Sequence, residues 1–175
     1  MAKPTYIKSN LLHMFYAMEG STSGSTEWKY FGYIQSNGLN LSNSFTEISS
    51  KSHGIHPDQE ISGSTVTLSQ SAYCSTENCN TILKMAQDGN IITWCFCKVA
   101  ENAQVANDGL SGVTGYGDVS TYTPGSDFKK YLNGIVSSAS ITSNSGEVAT
   151  IDLEIQGIGA LRDSIPSPVN YYSAS

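Results

Sequence analysis

The sequence predicts a mainly β protein: an antiparallel β-sandwich or partly closed barrel of about eight strands, with one α-helix. Only 14% of its 175 residues are charged and 39% are apolar, a balance typical of half-exposed strands rather than of a helical bundle. Apolar and polar residues alternate in several segments, whereas a single segment has the caps and apolar stripe of a helix. The length suits one domain with a substantial core.

Four segments in the first half of the chain have strand character. Residues 6–17 are apolar and aromatic, and residues 29–34 are a shorter segment of the same kind. Residues 39–48 and 64–70 alternate with a period of two, which indicates half-buried strands. A polar loop over residues 49–63 is expected between the last two.

One segment, residues 77–90, predicts a helix. Asn78 or Asn80 can cap its start, and Gly89 can end it, so the helix is expected over residues 78–88. Its apolar stripe consists of Ile82, Leu83, Met85 and Ala86.

An apolar strand is predicted next, over residues 91–100, followed by a long loop to residue 127. Residues 131–142 and 148–157 predict a closing hairpin around the turn SNSGE. Its second strand has an apolar face, formed by Ile151, Leu153 and Ile155, and a polar face, formed by Asp152, Glu154 and Gln156. The folded domain is expected over residues 1–161, and residues 162–175 are expected to form a flexible tail.

The chain is acidic, with a net charge of −6, a pI near 4.9 and no cluster of basic residues. These values argue against a cationic groove that wraps nucleic acid. No apolar run is long enough to span a bilayer, and the N-terminal MAKPTYIKSN lacks the apolar core of a signal peptide. We therefore expect a cytoplasmic chain whose cysteines are reduced unless a metal binds them.

The segment SSKSHGIHPDQE, residues 49–60, contains side chains of the types that bind zinc: His53, His56, Asp58 and Glu60. A glycine and a proline within it break the helix on which a His-x-x-His pair would converge. A solvated polar loop is the alternative interpretation and the one adopted, so no metal ligand is predicted.

The four cysteines have the spacings C-x4-C and C-x-C; they are Cys74, Cys79, Cys95 and Cys97. In a strand, Cys95 and Cys97 share one face, which suits small buried apolar side chains. A four-cysteine zinc site usually has tighter C-x2-C pairs, and a disulfide needs an oxidising compartment. Buried, reduced cysteines are the expectation.

No catalytic or cofactor-binding residue is predicted. The sequence has no G-x-S-x-G and no Walker motif, and the Gly-rich residues 112–118 lack a strand-to-helix context. His13 lies in an apolar segment, as a packed side chain would. The polar face of the last strand must contact water or a wet channel, either as an ordinary solvated surface or as a functional one.

Three segments stand in a familiar order: YIKSNLLHMFY, then FGYIQSNGLNLSNSFTEISSKSHG, then GIVSSASITSNSGEVATIDLEIQGIGAL. The second ends like a Ser-Ser-Lys-Asp-His-Gly motif with Ser52 at the Asp position, and the third ends in Gly-x-Gly-x-Leu at Gly157, Gly159 and Leu161. Over about residues 5–161 the chain resembles the major tail tube proteins of long-tailed, siphovirus-type bacteriophages, especially those of Bacteroidetes-type hosts. A long first connection and the four cysteines depart from that pattern.

The resemblance implies a structural virion protein that is not an enzyme and has no cofactor. Tail tube subunits form rings, commonly hexamers, whose sheets join into one β-barrel, and the rings stack into a tube that conducts DNA. The implied partners are other copies of the chain, a tape measure protein, and tail tip and terminator proteins. DNA passes without specific binding, no membrane is involved, and the virion tail assembles in the host cytoplasm.

The resemblance also implies site residues. Asp152, Glu154 and Gln156 are expected to face a negatively charged lumen, with the polar side of residues 40–46 beside them. Residues 49–63 occupy the position of a family loop that reaches an adjacent ring or subunit, so we expect a contact loop there. Its candidate contact residues are Ser50, Lys51, His53, His56, Asp58 and Glu60.

Three alternatives are left open. An inner-tube protein of a contractile injection or secretion machine shares the fold. A β-sandwich carbohydrate-binding module would stack sugars on exposed aromatic residues such as Trp28 and Tyr33. A metal-dependent enzyme would use the histidine and cysteine clusters.

Overall fold

The computed structural model describes residues 6–8, 11–20, 22–31, 34–48, 58–98, 104–105, 109–110 and 128–173. These residues contain nine strands and one helix. In chain order the elements are β1 (Leu12–Glu19), β2 (Thr26–Lys29), β3 (Ile34–Ile48), β4 (Asp58–Tyr73), α1 (Thr76–Asp88), β5 (Ile92–Lys98), β6 (Gln104–Val105), β7 (Gly109–Leu110), β8 (Lys129–Thr142) and β9 (Thr150–Arg162).

Seven strands form one antiparallel sheet in the order β2-β1-β5-β8-β9-β4-β3, and β6 pairs with β7 separately. The predicted mainly β, antiparallel fold with one helix is confirmed. The seven strands make up a single open sheet with β2 and β3 at its edges. The sheet curls enough for the side-chain amide of Asn37, on β3, to donate a hydrogen bond of 3.0 Å to the Leu12 carbonyl on β1.

Strand β4 is longer than the sequence predicts. The polar loop predicted for residues 49–63 is wrong from Asp58 onward, because β4 begins there and pairs with β3 up to Ile48. The segment DQEISG has little intrinsic strand preference. Its conformation therefore depends on the ladder of hydrogen bonds to β3.

Helix α1 starts earlier than predicted, and Ser75 is its N-cap. The Ser75 hydroxyl accepts a hydrogen bond of 3.1 Å from the Asn78 backbone N–H, so Asn78 lies inside the helix instead of capping it. Gly89 ends the helix as predicted, in the left-handed conformation with φ 63°. Its N–H donates to the Met85 carbonyl at 3.2 Å.

Two apolar clusters lie on opposite faces of the sheet. Ile82 and Met85 of α1 pack into the main cluster, together with Trp94 of β5. Alternation along β5 places Cys95 and Cys97 in the second cluster, which lies on the other face of β1 and β5. Both of these cysteines are fully buried, and burial raises the pKa of the Cys95 thiol well above its ordinary value.

The Gly-x-Gly-x-Leu sequence of β9 has a steric basis. A Cβ on Gly157 would lie 2.8 Å from the Val66 carbonyl oxygen of β4, closer than real Cβ atoms approach. Gly159 has φ 83°, which side-chain-bearing residues rarely adopt. Leu161 then packs against the main cluster. The two glycines thus permit a close approach and a backbone geometry that other residues would strain.

Residues 163–173 form a C-terminal strap, in contrast to the loose tail that the sequence predicts. The Tyr172 N–H donates to the Ala17 carbonyl and the Thr93 N–H donates to the Asn170 carbonyl, both at 2.9 Å. The strap thereby lies between β1 and β5 beyond the end of their own pairing. Tyr172 packs into the main cluster, so the packed chain extends past residue 161.

We predict that Tyr172→Ala lowers the free energy of unfolding by about 3 kcal/mol, because the ring is only 8% exposed and packs edge-on against Tyr16. Urea denaturation followed by circular dichroism measures the loss. Tyr6→Ala is the matched control, since Tyr6 is 82% exposed and its loss should stay within about 0.5 kcal/mol. Equal effects of the two changes would contradict the anchoring of the strap by Tyr172.

Candidate functional site

The predicted alternation of β9 is present in the structure. Asp152, Glu154 and Gln156 are exposed on one face of the sheet. The opposite face of the strand packs into the main cluster with Ile151, Leu153 and Ile155. We call the surface around the exposed side chains the acidic face.

Serines flank both carboxylates of the acidic face. Asp152 pairs with Ser71 of β4 on one side and with Ser140 of β8 on the other. The corresponding neighbours of Glu154 are Ser69 and Ser138. The centre of the sheet therefore presents acidic groups among small hydroxyl side chains.

Strand β3 extends the acidic face, but mostly through residues other than those that the sequence predicts. Of the predicted residues 40–46, Asn40 is level with Gln156, and the others lie beyond the end of the pairing between β4 and β9. Ser36 and Gly38, which were not predicted, are level with the two carboxylates. The alternation of period two continues back to Ser36 in the sequence, so this signal could have identified both Ser36 and Gly38.

A shallow depression of about 240 Å³ lies on the acidic face where β3, β4, β8 and β9 meet. Among the described residues that line it, Asp152 and Glu154 are the charged ones, and none is Lys or Arg. A surface with carboxylates and no basic groups repels phosphate. Its serine hydroxyls keep it hydrated.

The hairpin of β3 and β4 extends past the rest of the sheet. These two strands pair over almost their whole length, whereas β4 pairs with β9 only at residues 67–73. Residues 42–48 and 58–65 therefore form a two-stranded projecting arm. Phe45 is 60% exposed there and Ile61 is 55% exposed, and the two are directly opposite each other across the arm.

The predicted contact loop is only partly described. Asp58 and Glu60 lie in β4 on the projecting arm, paired with Ile48 and Thr46. They belong to a strand and not to a polar loop. The other candidate contact residues lie outside the described residues: Ser50, Lys51, His53 and His56.

The structure gives little support to the metal-site and sugar-binding alternatives. Within the described part of the chain, no three His, Cys, Asp or Glu side chains converge as metal ligands. Trp28, a sugar-stacking candidate, is buried in the second cluster with its ring centre 5.7 Å from that of Tyr131. Tyr33 lies outside the described residues. In the ranges that the structure describes, no helix is long and apolar enough to cross a membrane.

Gln70 lies on the buried side of the sheet, behind the acidic face. Its side chain is 4% exposed, and it alternates along β4 with the exposed Ser69 and half-exposed Ser71. Neither the nitrogen nor the oxygen of its amide has a hydrogen-bond partner among the described residues. Leaving a buried polar group unpaired costs about 1–3 kcal/mol.

No protein-family model matches the chain, and no curated protein matches it either. Several solved structures, in contrast, are similar to this chain. The tail of an empty gene transfer agent particle, with C6 symmetry, aligns with a TM-score of 0.61 at 11% identity, over 90% of this chain and 98% of that one. The SPP1 tail tube aligns with a TM-score of 0.57 at 12% identity, over 88% of this chain and 77% of that one.

The chain has the fold of tail tube proteins. The baseplate of the anti-feeding prophage contains a similar chain, with a TM-score of 0.54 at 10% identity, over 93% of this chain and 96% of that one. At these identities the likeness establishes the fold, and it does so over nearly the whole chain.

We predict that Gln70→Met raises the free energy of unfolding by about 1 kcal/mol, because it removes an unpaired buried amide at similar volume. Gln156→Met makes the same change on the exposed face of the adjacent strand, and its effect should stay below about 0.5 kcal/mol. Urea midpoints of both variants measure the difference. Destabilisation by Gln70→Met would show that the amide has a stabilising partner.

Proposed function

We propose that this protein is a structural subunit of a phage tail tube, which assembles into stacked rings around a channel that conducts genomic DNA. The observation that carries the proposal is the fold shared with a tail and a tail tube over 90% and 88% of the chain. The role is architectural and not enzymatic, so surfaces rather than a catalytic pocket perform it.

The acidic face is the surface suited to line the channel. A DNA conduit must be wetted without binding phosphate, and carboxylates among serines meet both requirements. The opposite face of the same strands packs into the main cluster beneath α1, which leaves the acidic face free to contact solvent. In this proposal Asp152, Glu154 and Gln156 face the lumen.

The open sheet supports ring formation. β3 is an edge strand of 15 residues, and its outer backbone groups have no strand partner within the described sheet. Pairing with the sheet of a neighbouring subunit would satisfy these groups and close the sheets into one barrel. The C6 symmetry of the gene transfer agent tail supports a ring of six.

A subunit of the virion tail would also contact other proteins of the tail. In this proposal the partners of the tube, besides other copies of the chain, are a tape measure protein and tail tip and terminator proteins. Assembly takes place in the host cytoplasm. In this proposal the projecting arm, which carries Asp58 and Glu60, provides contacts between subunits or rings, and Ser50, Lys51, His53 and His56 are further proposed contact residues.

A second candidate function is the inner tube of a contractile injection machine. The alignment with the anti-feeding prophage baseplate, over 93% of this chain, favours it. Electron microscopy of native particles distinguishes the two, because a contractile tail has a sheath around the tube and a siphovirus-type tail does not.

Electron microscopy of the purified protein tests the proposal, and hollow rings or tubes are the expected result. We predict that Phe45→Asp abolishes tubes while the free energy of unfolding stays within about 0.5 kcal/mol, because Phe45 is 60% exposed in the subunit. Size-exclusion chromatography and urea denaturation measure the two effects.

Leu83→Asp is the matched control for the arm. Leu83 is an exposed apolar residue of α1, away from the projecting arm, so this variant should still form tubes. If Phe45→Asp formed normal tubes, the projecting arm would not be part of the assembly surface. Wild-type protein that stays monomeric at every concentration would contradict the tail tube function itself.

We predict that tubes carrying both Asp152→Lys and Glu154→Lys retain nuclease-protected DNA at low salt, because every subunit would add four units of positive charge to the channel lining. The DNA should be released as salt rises. Tubes carrying Glu19→Lys and Glu147→Lys have the same net charge but keep the acidic face, and should retain none. Equal retention by both double variants would place Asp152 and Glu154 outside the lumen.

A further inference from the structure

Two cysteines frame the start of α1. Cys74 directly precedes the N-cap Ser75, and Cys79 donates its backbone N–H to the Ser75 carbonyl at 3.0 Å, the first hydrogen bond of the helix. In helix nomenclature they are therefore residues N′ and N4. Side chains at these two positions commonly pack against each other in the hydrophobic staple.

The two thiols share one environment. The Cys74 side chain is close enough to that of Cys79 to affect its pKa, and both pack against the edge of the main cluster while remaining partly exposed. Cys74 is also fixed at its backbone, because its N–H donates to the Ala149 carbonyl at 2.8 Å. Two half-exposed thiols thus lie side by side on a backbone held by the sheet and by the capped helix.

We propose that Cys74 and Cys79 are an oxidation site, which forms an intramolecular disulfide by exchange with a low-molecular-weight disulfide such as oxidised glutathione. This inference does not depend on the proposed function, because it concerns the single chain.

The exchange balances in two steps. The thiolate of one cysteine attacks a sulfur of oxidised glutathione, which forms a mixed disulfide and releases one molecule of glutathione. The thiolate of the other cysteine then attacks the protein sulfur of the mixed disulfide and releases the second molecule. The two protein thiols are oxidised, and the glutathione disulfide is reduced and takes up their two protons.

Attack by the Cys79 thiolate should be slow at neutral pH. Burial, and then the neighbouring Cys74 thiol, raise the pKa of the Cys79 thiol to about 11. Because the thiolate is the attacking species, exchange should become faster as the pH rises toward that value.

Cys95 and Cys97 provide an internal comparison within the chain. Both are fully buried in the second cluster, so they are not accessible to a dissolved oxidant. They are two residues apart on one strand face, at about the maximum Cα separation that a disulfide can bridge. We expect this pair to stay reduced in the folded protein.

A disulfide at Cys74 and Cys79 would tie the first turn of α1 to the end of β4. The closed loop is short, so the constraint on the unfolded chain is modest. We expect the thermal midpoint to rise by about 4 °C on oxidation and to return on reduction.

Peptide mapping tests the proposal. The reduced, folded protein is treated with oxidised glutathione at mildly alkaline pH, alkylated with iodoacetamide while folded, and digested with trypsin. The sequence separates the two pairs, because residues 52–84 and 85–98 are distinct tryptic peptides with one pair each. Peptide 52–84 should lack two hydrogens and carry no alkyl group, and peptide 85–98 should keep two free thiols that react after denaturation.

Single variants separate an internal bond from other oxidation products. In Cys79→Ser, the remaining Cys74 cannot form the bond and should accumulate as a mixed disulfide with glutathione. The reverse variant, Cys74→Ser, should behave in the same way through Cys79. Wild-type protein whose peptide 52–84 keeps two alkylatable thiols, carries glutathione, or joins a second chain would overturn the proposal.

Discussion

Strand β9 lies between β4 and β8 and alternates buried aliphatic with exposed polar side chains. A slip of one residue in its register would turn Asp152 and Glu154 into the main cluster and expose Ile155 to water. Burying an unpaired carboxylate costs several kcal/mol, so the register is strongly determined. Once β9 is fixed, its pairing sets the level of the serines on both neighbours and hence the composition of the acidic face.

The elements that pack against each face of the sheet determine which surface remains exposed to solvent. Helix α1 lies over the main cluster, and the C-terminal strap contributes Val169 and Tyr171 to the second cluster around β1 and β5. On the opposite side of the sheet, β9 exposes the polar side chains Asp152, Glu154 and Gln156. An open antiparallel sheet tolerates one wet face, and the sequence supplies hydroxyl and acidic side chains where that face occurs.

The parts that the sequence predicted are those set by local pattern. The alternation of β9, the end of α1 at Gly89 and the shared face of Cys95 and Cys97 follow from the period of two or from capping chemistry. The parts that it missed depend on distant partners. The segment from Asp58 is a strand because β3 pairs with it. The strap is held by the hydrogen bonds of Asn170 and Tyr172 to β5 and β1 and by the packing of Tyr172. Neither partner is visible in the local sequence.

The projecting arm is the least self-sufficient part of the described chain. Two paired strands without a third strand or a covering helix are marginally stable in water. The arm nevertheless exposes Phe45 and Ile61, and more than half of the surface of each residue remains accessible within the subunit. A contact that covered both side chains would bury apolar area worth about 25 cal/mol per Å² and would extend the ladder at the β3 edge. In the proposed tube a neighbouring subunit supplies that cover, so the arm and the tube would stabilise each other.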